Sequence, residues 1–115
     1  MPRQASLGEF EQLVMLAALR LGEDASGNAI STELEEKADR SVSRGALYSA
    51  LDRLEYKGFL TWRVEASTPE RGGHPSRIFS VTEDGLEALR EHQRAIRNLA
   101  EGLDAVLDPG GSQGT

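Results

Sequence analysis

Between residues 43 and 53 the chain reads SRGALYSALDR, a run dense in groups that could bind an anion. Ser43, Arg44, Tyr48, Ser49 and Arg53 carry hydroxyl, phenol or guanidinium donors, and Gly45 lets a backbone come close. At 100° per residue, Gly45, Ser49, Asp52 and Tyr56 share one side of a helix, with Tyr48 and Arg53 on its flanks. Leu47, Leu51 and Leu54 fall opposite, beside Ala50, and form the side to be buried. A second group follows, in which Arg71, His74 and Arg77 flank Gly72, Gly73 and Pro75, placing positive charge at and beside a turn. The bland reading of both groups is a solvated surface with a structural tyrosine.

The elements that would position these groups are legible in the hydropathy pattern. Residues 7–21, LGEFEQLVMLAALRL, are too apolar for a single stripe, which predicts a helix meeting the core on one side and a partner subunit on another. GEDASG reads as a loop, and Asn28 as the N-cap of a second helix, NAISTELEEKA, with Ile30, Leu34 and Ala38 on one side. Residues 39–42 make a short polar connection. Ser43 then caps the third helix and Gly58 terminates it.

After Gly58 the period falls to two. In FLTWRVE, Leu60, Trp62 and Val64 point one way and Phe59, Thr61, Arg63 and Glu65 the other, while RIFSV is a second β-prone run. ASTPERGGHPS between them predicts a hairpin with a long tip, and Trp62 is expected in the core. Thr82 caps a last helix, with Glu83 and Asp84 in its first turn where the helix dipole favours anions. Along that helix Leu86, Leu89, Gln93, Ile96, Ala100, Leu103 and Leu107 are spaced alternately by three and four residues, the heptad pattern of a coiled coil. The pattern predicts a dimerisation helix, although Gln93 and Gly102 weaken it; the alternative is packing on its own domain.

Composition narrows the class. A chain of 115 residues, 38% apolar, buries one modest core and gains surface by dimerising. With no cysteine and two histidines, disulfides and thiolate zinc sites are excluded and a histidine metal site is improbable. No apolar run approaches the ~20 residues that span a bilayer and residues 1–12 lack the order of a signal peptide, so the expected location is cytoplasmic, without a membrane partner. The net charge of −6 conceals an uneven distribution. Residues 1–40 have four basic and eight acidic side chains, residues 41–81 six and four, and residues 82–115 three and seven. Only the middle third is basic, and there a polyanion can be met locally.

The order helix, helix, turn, helix, hairpin predicts a mainly α fold with a small β-hairpin, a winged helix-turn-helix over residues 7–82. Residues 83–108 would form the coiled-coil-like dimerisation helix and residues 109–115 a disordered tail. A helix about 10–12 Å across fits the B-DNA major groove when its N-terminal half offers small or polar groups. Ser43, Arg44, Gly45, Tyr48 and Ser49 meet that requirement. Arg53 is either a phosphate contact or the partner of carboxylates such as Asp52 and Glu55, which lie where such a helix lifts out of the groove. Arg71 and Arg77 suit phosphates, and His74 does so when protonated.

The segments ISTELEEKA, VSRGALYSALDRLEYKGFL and RGGHPSRIFSVTEDG, in this order and spacing, resemble the PadR family of bacterial transcriptional regulators over residues 7–107. The resemblance implies winged-helix homodimers that act mainly as repressors, often relieved by small phenolic or drug-like effectors. It implies that Tyr48 contacts phosphate, that Ser43, Arg44 and Ser49 lie at the groove, and that residues 71–77 form the wing. Around His74 and Ser76 the wing is less basic than in many such proteins, and the seam has no aromatic residue to stack on a flat effector. The expected partners are double-stranded operator DNA, a second copy of the chain and a small-molecule effector. The alternative is a winged-helix protein-interaction module without DNA, which the overall acidity suits. No cofactor is expected. Without cysteine, a phosphate-cradling glycine motif or a histidine or carboxylate cluster, no residues can be assigned to enzyme chemistry.

Overall fold

The computed structural model describes residues 6–66 and 75–108. Helix α1 spans Glu9–Leu21 and a short 3-10 turn Gly22–Asp24; α2 is Gly27–Ala38 and α3 Arg44–Tyr56. Strands β1 (Leu60–Glu65) and β2 (Ser76–Val81) pair antiparallel, followed by α4 (Glu83–Ala100) and a single turn, α5 (Asp104–Leu107). This is the winged helix-turn-helix expected, with its two-stranded wing.

The core lies where α1, α2 and α3 meet the base of the hairpin. Val14 and Met15 of α1, Ile30 and Leu34 of α2, and Leu51 and Leu54 of α3 are its largest fully buried side chains. Each removes enough apolar area from water to contribute about 2 kcal/mol. Leu47 and Ala50 join them, so the apolar side of α3 packs inward as its spacing requires.

Local chemistry fixes where the helices begin and end. The Ser43 hydroxyl accepts from the Ala46 N–H at 3.1 Å, and that of Thr82 from the Gly85 N–H at 3.0 Å. At the end of α3 the Gly58 N–H donates to the Glu55 carbonyl and the Phe59 N–H to the Leu54 carbonyl, a Schellman stop with Gly58 at φ 82°. That stop turns Phe59 into the core, so Phe59 is buried as well as Leu60, although the alternation sets the two on opposite sides. Val64, on the same side of β1 as Leu60 and Trp62, is 58% exposed because the hairpin outruns the core. Trp62, between them, is half-buried against the core.

Three further expectations are corrected. The N-cap of α2 is Ser26, whose hydroxyl accepts from Ala29, and not Asn28. The preceding residues are not a free loop: Ser26 bridges Ile78, and the Phe79 N–H donates to the Ala25 carbonyl at 2.9 Å. The last helix does not continue through Leu107 either. It ends at Ala100; Glu101 leaves helical geometry at ψ 130° and Gly102 takes φ 84°, a left-handed conformation that glycine adopts without strain. Leu86, Leu89, Gln93, Ile96 and Ala100 therefore share α4, whereas Leu103 and Leu107 lie beyond the break. The tail at 109–115 lies outside the described residues.

Candidate nucleic-acid interface

Between α3, the start of α2 and the wing lies an open groove of about 1230 Å³. Arg44, Gly45 and Tyr48 line it from α3, Gly27 and Asn28 from α2, and Pro75, Ser76 and Arg77 from the wing. Segments far apart in sequence thus converge on one concave face.

Tyr48 is its centre. The ring is half-buried, and a methyl group on Gly27 would come within 2.8 Å of the Tyr48 Cζ, so it is the missing side chain at 27 that admits the phenol. The Arg44 guanidinium carbon sits 5.1 Å from the Tyr48 ring centroid and that of Arg77 5.5 Å from it. The groove therefore presents a tyrosine flanked by two cations. Ser43, Gly45 and Ser49 are exposed on the same helix, with the Ser43 oxygen engaged in capping.

Arg53 is placed elsewhere. Its Nε donates to Oε2 of Glu11 at 2.9 Å, so its carboxylate partner comes from α1 and not from Asp52 or Glu55. Lys57 joins the same carboxylate, and Glu11 is 4% exposed. Burial alone would push the Glu11 carboxyl up. Hydrogen bonds from Lys57, the Gly8 backbone and Arg53 outweigh it and hold the group below the usual carboxylate range.

Arg71 and His74 lie outside the described residues. Sequence reasoning gave Asn28 only a capping role, whereas it lines the groove, and it left Asp52 at the retreating end of α3, whereas Asp52 lines the groove too. Asp24 and Glu65 are further acidic lining residues. No local signal marks Asn28 or Asp24, because the hairpin brings the groove's other wall to them. Among the described residues no helix is long and apolar enough to cross a membrane.

A profile of the transcriptional regulator PadR-like family matches residues 15–91, most of the helix-turn-helix and the wing. The chain belongs to that family. PadR-like proteins are transcriptional regulators rather than enzymes. Among solved structures, a PadR-like transcription factor from Bacteroides fragilis is 28% identical over 84% of this chain and 88% of its own, at a TM-score of 0.67. A PadR family transcriptional regulator from Eggerthella lenta is also 28% identical, over 89% and 88%, at 0.65. Bacillus subtilis PadR, solved in complex with operator DNA, shares the fold at 23% identity and a TM-score of 0.61; the match covers 74% of this chain and 48% of that longer one. Among curated proteins no significant match is found.

Proposed function

We propose that this PadR-family chain is a sequence-specific, double-stranded DNA-binding repressor that acts as a homodimer in the cytoplasm. The observation that carries the reading is the groove in which the small and donor-bearing side of α3 faces the wing across Tyr48. Gly45 lets the α3 backbone approach base edges, Arg44 and Tyr48 donate to phosphate or base acceptors, and Ser43 and Ser49 add hydroxyls at the same edge. Arg71 and His74 would carry the wing's charge to phosphates. The operator complex of Bacillus subtilis PadR supports DNA as the partner.

Homodimerisation rests on α4. After Gln93 its side chains leave the body of the domain, with Ile96 56% and Leu99 81% exposed. A second copy covering this stripe would set two α3 helices on half-sites about one DNA turn, ~34 Å, apart. Leu16 and Leu19 of α1 line a shallow depression with Leu86 and Leu89 of α4, a place for an apolar effector that relieves repression.

The test is a fluorescence-anisotropy titration against DNA from upstream of the protein's own gene and against a shuffled duplex, at about 50 and about 200 mM salt. Tight binding to the first duplex alone, falling by orders of magnitude with salt, is the expected result. Tyr48→Phe and Arg44→Ala should each weaken it without unfolding the protein. The carboxylates of Asp24, Asp52 and Glu65 along the groove favour a second reading, a protein-interaction module. Equal, weak binding to both duplexes would support that one instead.

A further inference from the structure

Arg77 is a half-buried cation that forms no ion pair with any described residue. Its guanidinium carbon lies 4.8 Å from the Trp62 ring centroid, 5.5 Å from that of Tyr48 and 5.7 Å from that of Phe79. Trp62 and Phe79 face each other in register across the hairpin, and Arg77 lies two residues before Phe79 on the same face. Tyr48 belongs to α3. One guanidinium therefore touches rings from both strands of the wing and from the helix that lines the other wall of the groove.

This contact lies where the hairpin has left the core, since Val64, opposite Arg77 in the ladder, is 58% exposed. The Ser26–Ile78 bridge and the Phe79–Ala25 hydrogen bond tie β2 to the start of α2, and beyond Ile78 and Phe79, where apolar burial ends, the ring contacts of Arg77 add a tie from the wing to α3.

We infer that Arg77 is a positioning residue, a strut that fixes the angle between wing and α3 and holds the Tyr48 ring from the wing side, rather than a phosphate contact. Its effect on DNA rests on the function proposed above. Its effect on the wing does not. The chemistry separates the two roles: a phosphate contact needs a positive charge, which lysine supplies, whereas a strut needs the flat, weakly hydrated guanidinium that stacks on rings.

The experiment compares the full chain with Arg77→Lys and Arg77→Ala. In operator titrations over a range of salt, both variants are expected to bind about tenfold more weakly, with the slope of log affinity against log salt unchanged. Wild-type affinity in Arg77→Lys, or a slope lower by about one in Arg77→Ala, would overturn the strut. The second arm omits DNA. Amide hydrogen exchange over residues 60–65 and 76–81 should quicken in both variants, and emission from Trp62, the chain's single tryptophan, should shift, while helical circular dichroism stays as in wild type. Wing exchange that stays at the wild-type rate in both variants would sink the proposal whatever the DNA result. Should the unmodified chain not bind DNA at all, the function reading fails and the exchange arm alone decides the strut.

Discussion

The Nζ of Lys57 donates to both carboxylate oxygens of Glu11, at 2.8 and 3.1 Å, and so clamps the end of α3 to the first turn of α1. Arg53 and the Gly8 N–H complete the shell, and Lys57 also reaches the Ser6 carbonyl at 2.8 Å. A buried carboxylate with three donors fixes the axis of α3 relative to the rest of the domain.

Removing it should therefore loosen the fold. Glu11→Ala leaves two cations that can turn toward solvent, with side chains 53% and 22% exposed for Arg53 and Lys57, so the expected loss is about 2 kcal/mol, below that of a fully buried pair. Denaturant unfolding should show a lower midpoint at unchanged slope.

The same carboxylate sets a pH dependence. Because its folded pKa is lowered, Glu11 binds its proton more weakly in the folded chain than in the unfolded one. Its contribution is present above the ordinary carboxylate range, about pH 4 to 5, and is lost as pH falls through the depressed folded value. Thermal midpoints of wild type and Glu11→Gln should differ at neutral pH and draw together as pH falls below the ordinary carboxylate range.

Gly27 is where a single methyl group should act on the site. Gly27→Ala drives a Cβ into the Tyr48 ring, which must swing out of its place beside α2. DNA affinity should drop about tenfold, a loss comparable to that of one charge-assisted contact. An operator titration that returns the wild-type affinity would mean that the seat of Tyr48 is irrelevant to binding.

On α4, Ile96 is 56% exposed at the middle of the stripe. Ile96→Glu would put a charge into a dimer seam and should yield monomers in sedimentation velocity with the domain still folded. A variant that sediments with wild type would place the dimer contact elsewhere.

What was legible in the sequence was what neighbouring residues decide alone. The hydroxyls of Ser43 and Thr82 and the stop at Gly58 needed only three or four residues of context, and the wing followed from a change of period. What was hidden depended on distant partners. Ser26 caps α2 in preference to Asn28 because β2 pins the segment before the helix. Arg53 finds Glu11 across 42 residues, and three-and-four spacing continues past residue 101 although the backbone does not. The convergence of Tyr48, Trp62 and Phe79 on Arg77 needed the register of the hairpin, which composition does not encode.

The hydrogen bond from Phe79 to Ala25 has a consequence for the way a binding site would be chosen. It joins the wing's second strand to the residues leading into α2, so helix and wing would meet a duplex as one stiff template with little slack between them. A stiff template leaves the bending to the nucleic acid. Base pairs that deform readily, pyrimidine–purine steps above all, should then be favoured at positions no side chain reaches, and part of the discrimination between operators would reside in the elasticity of the DNA.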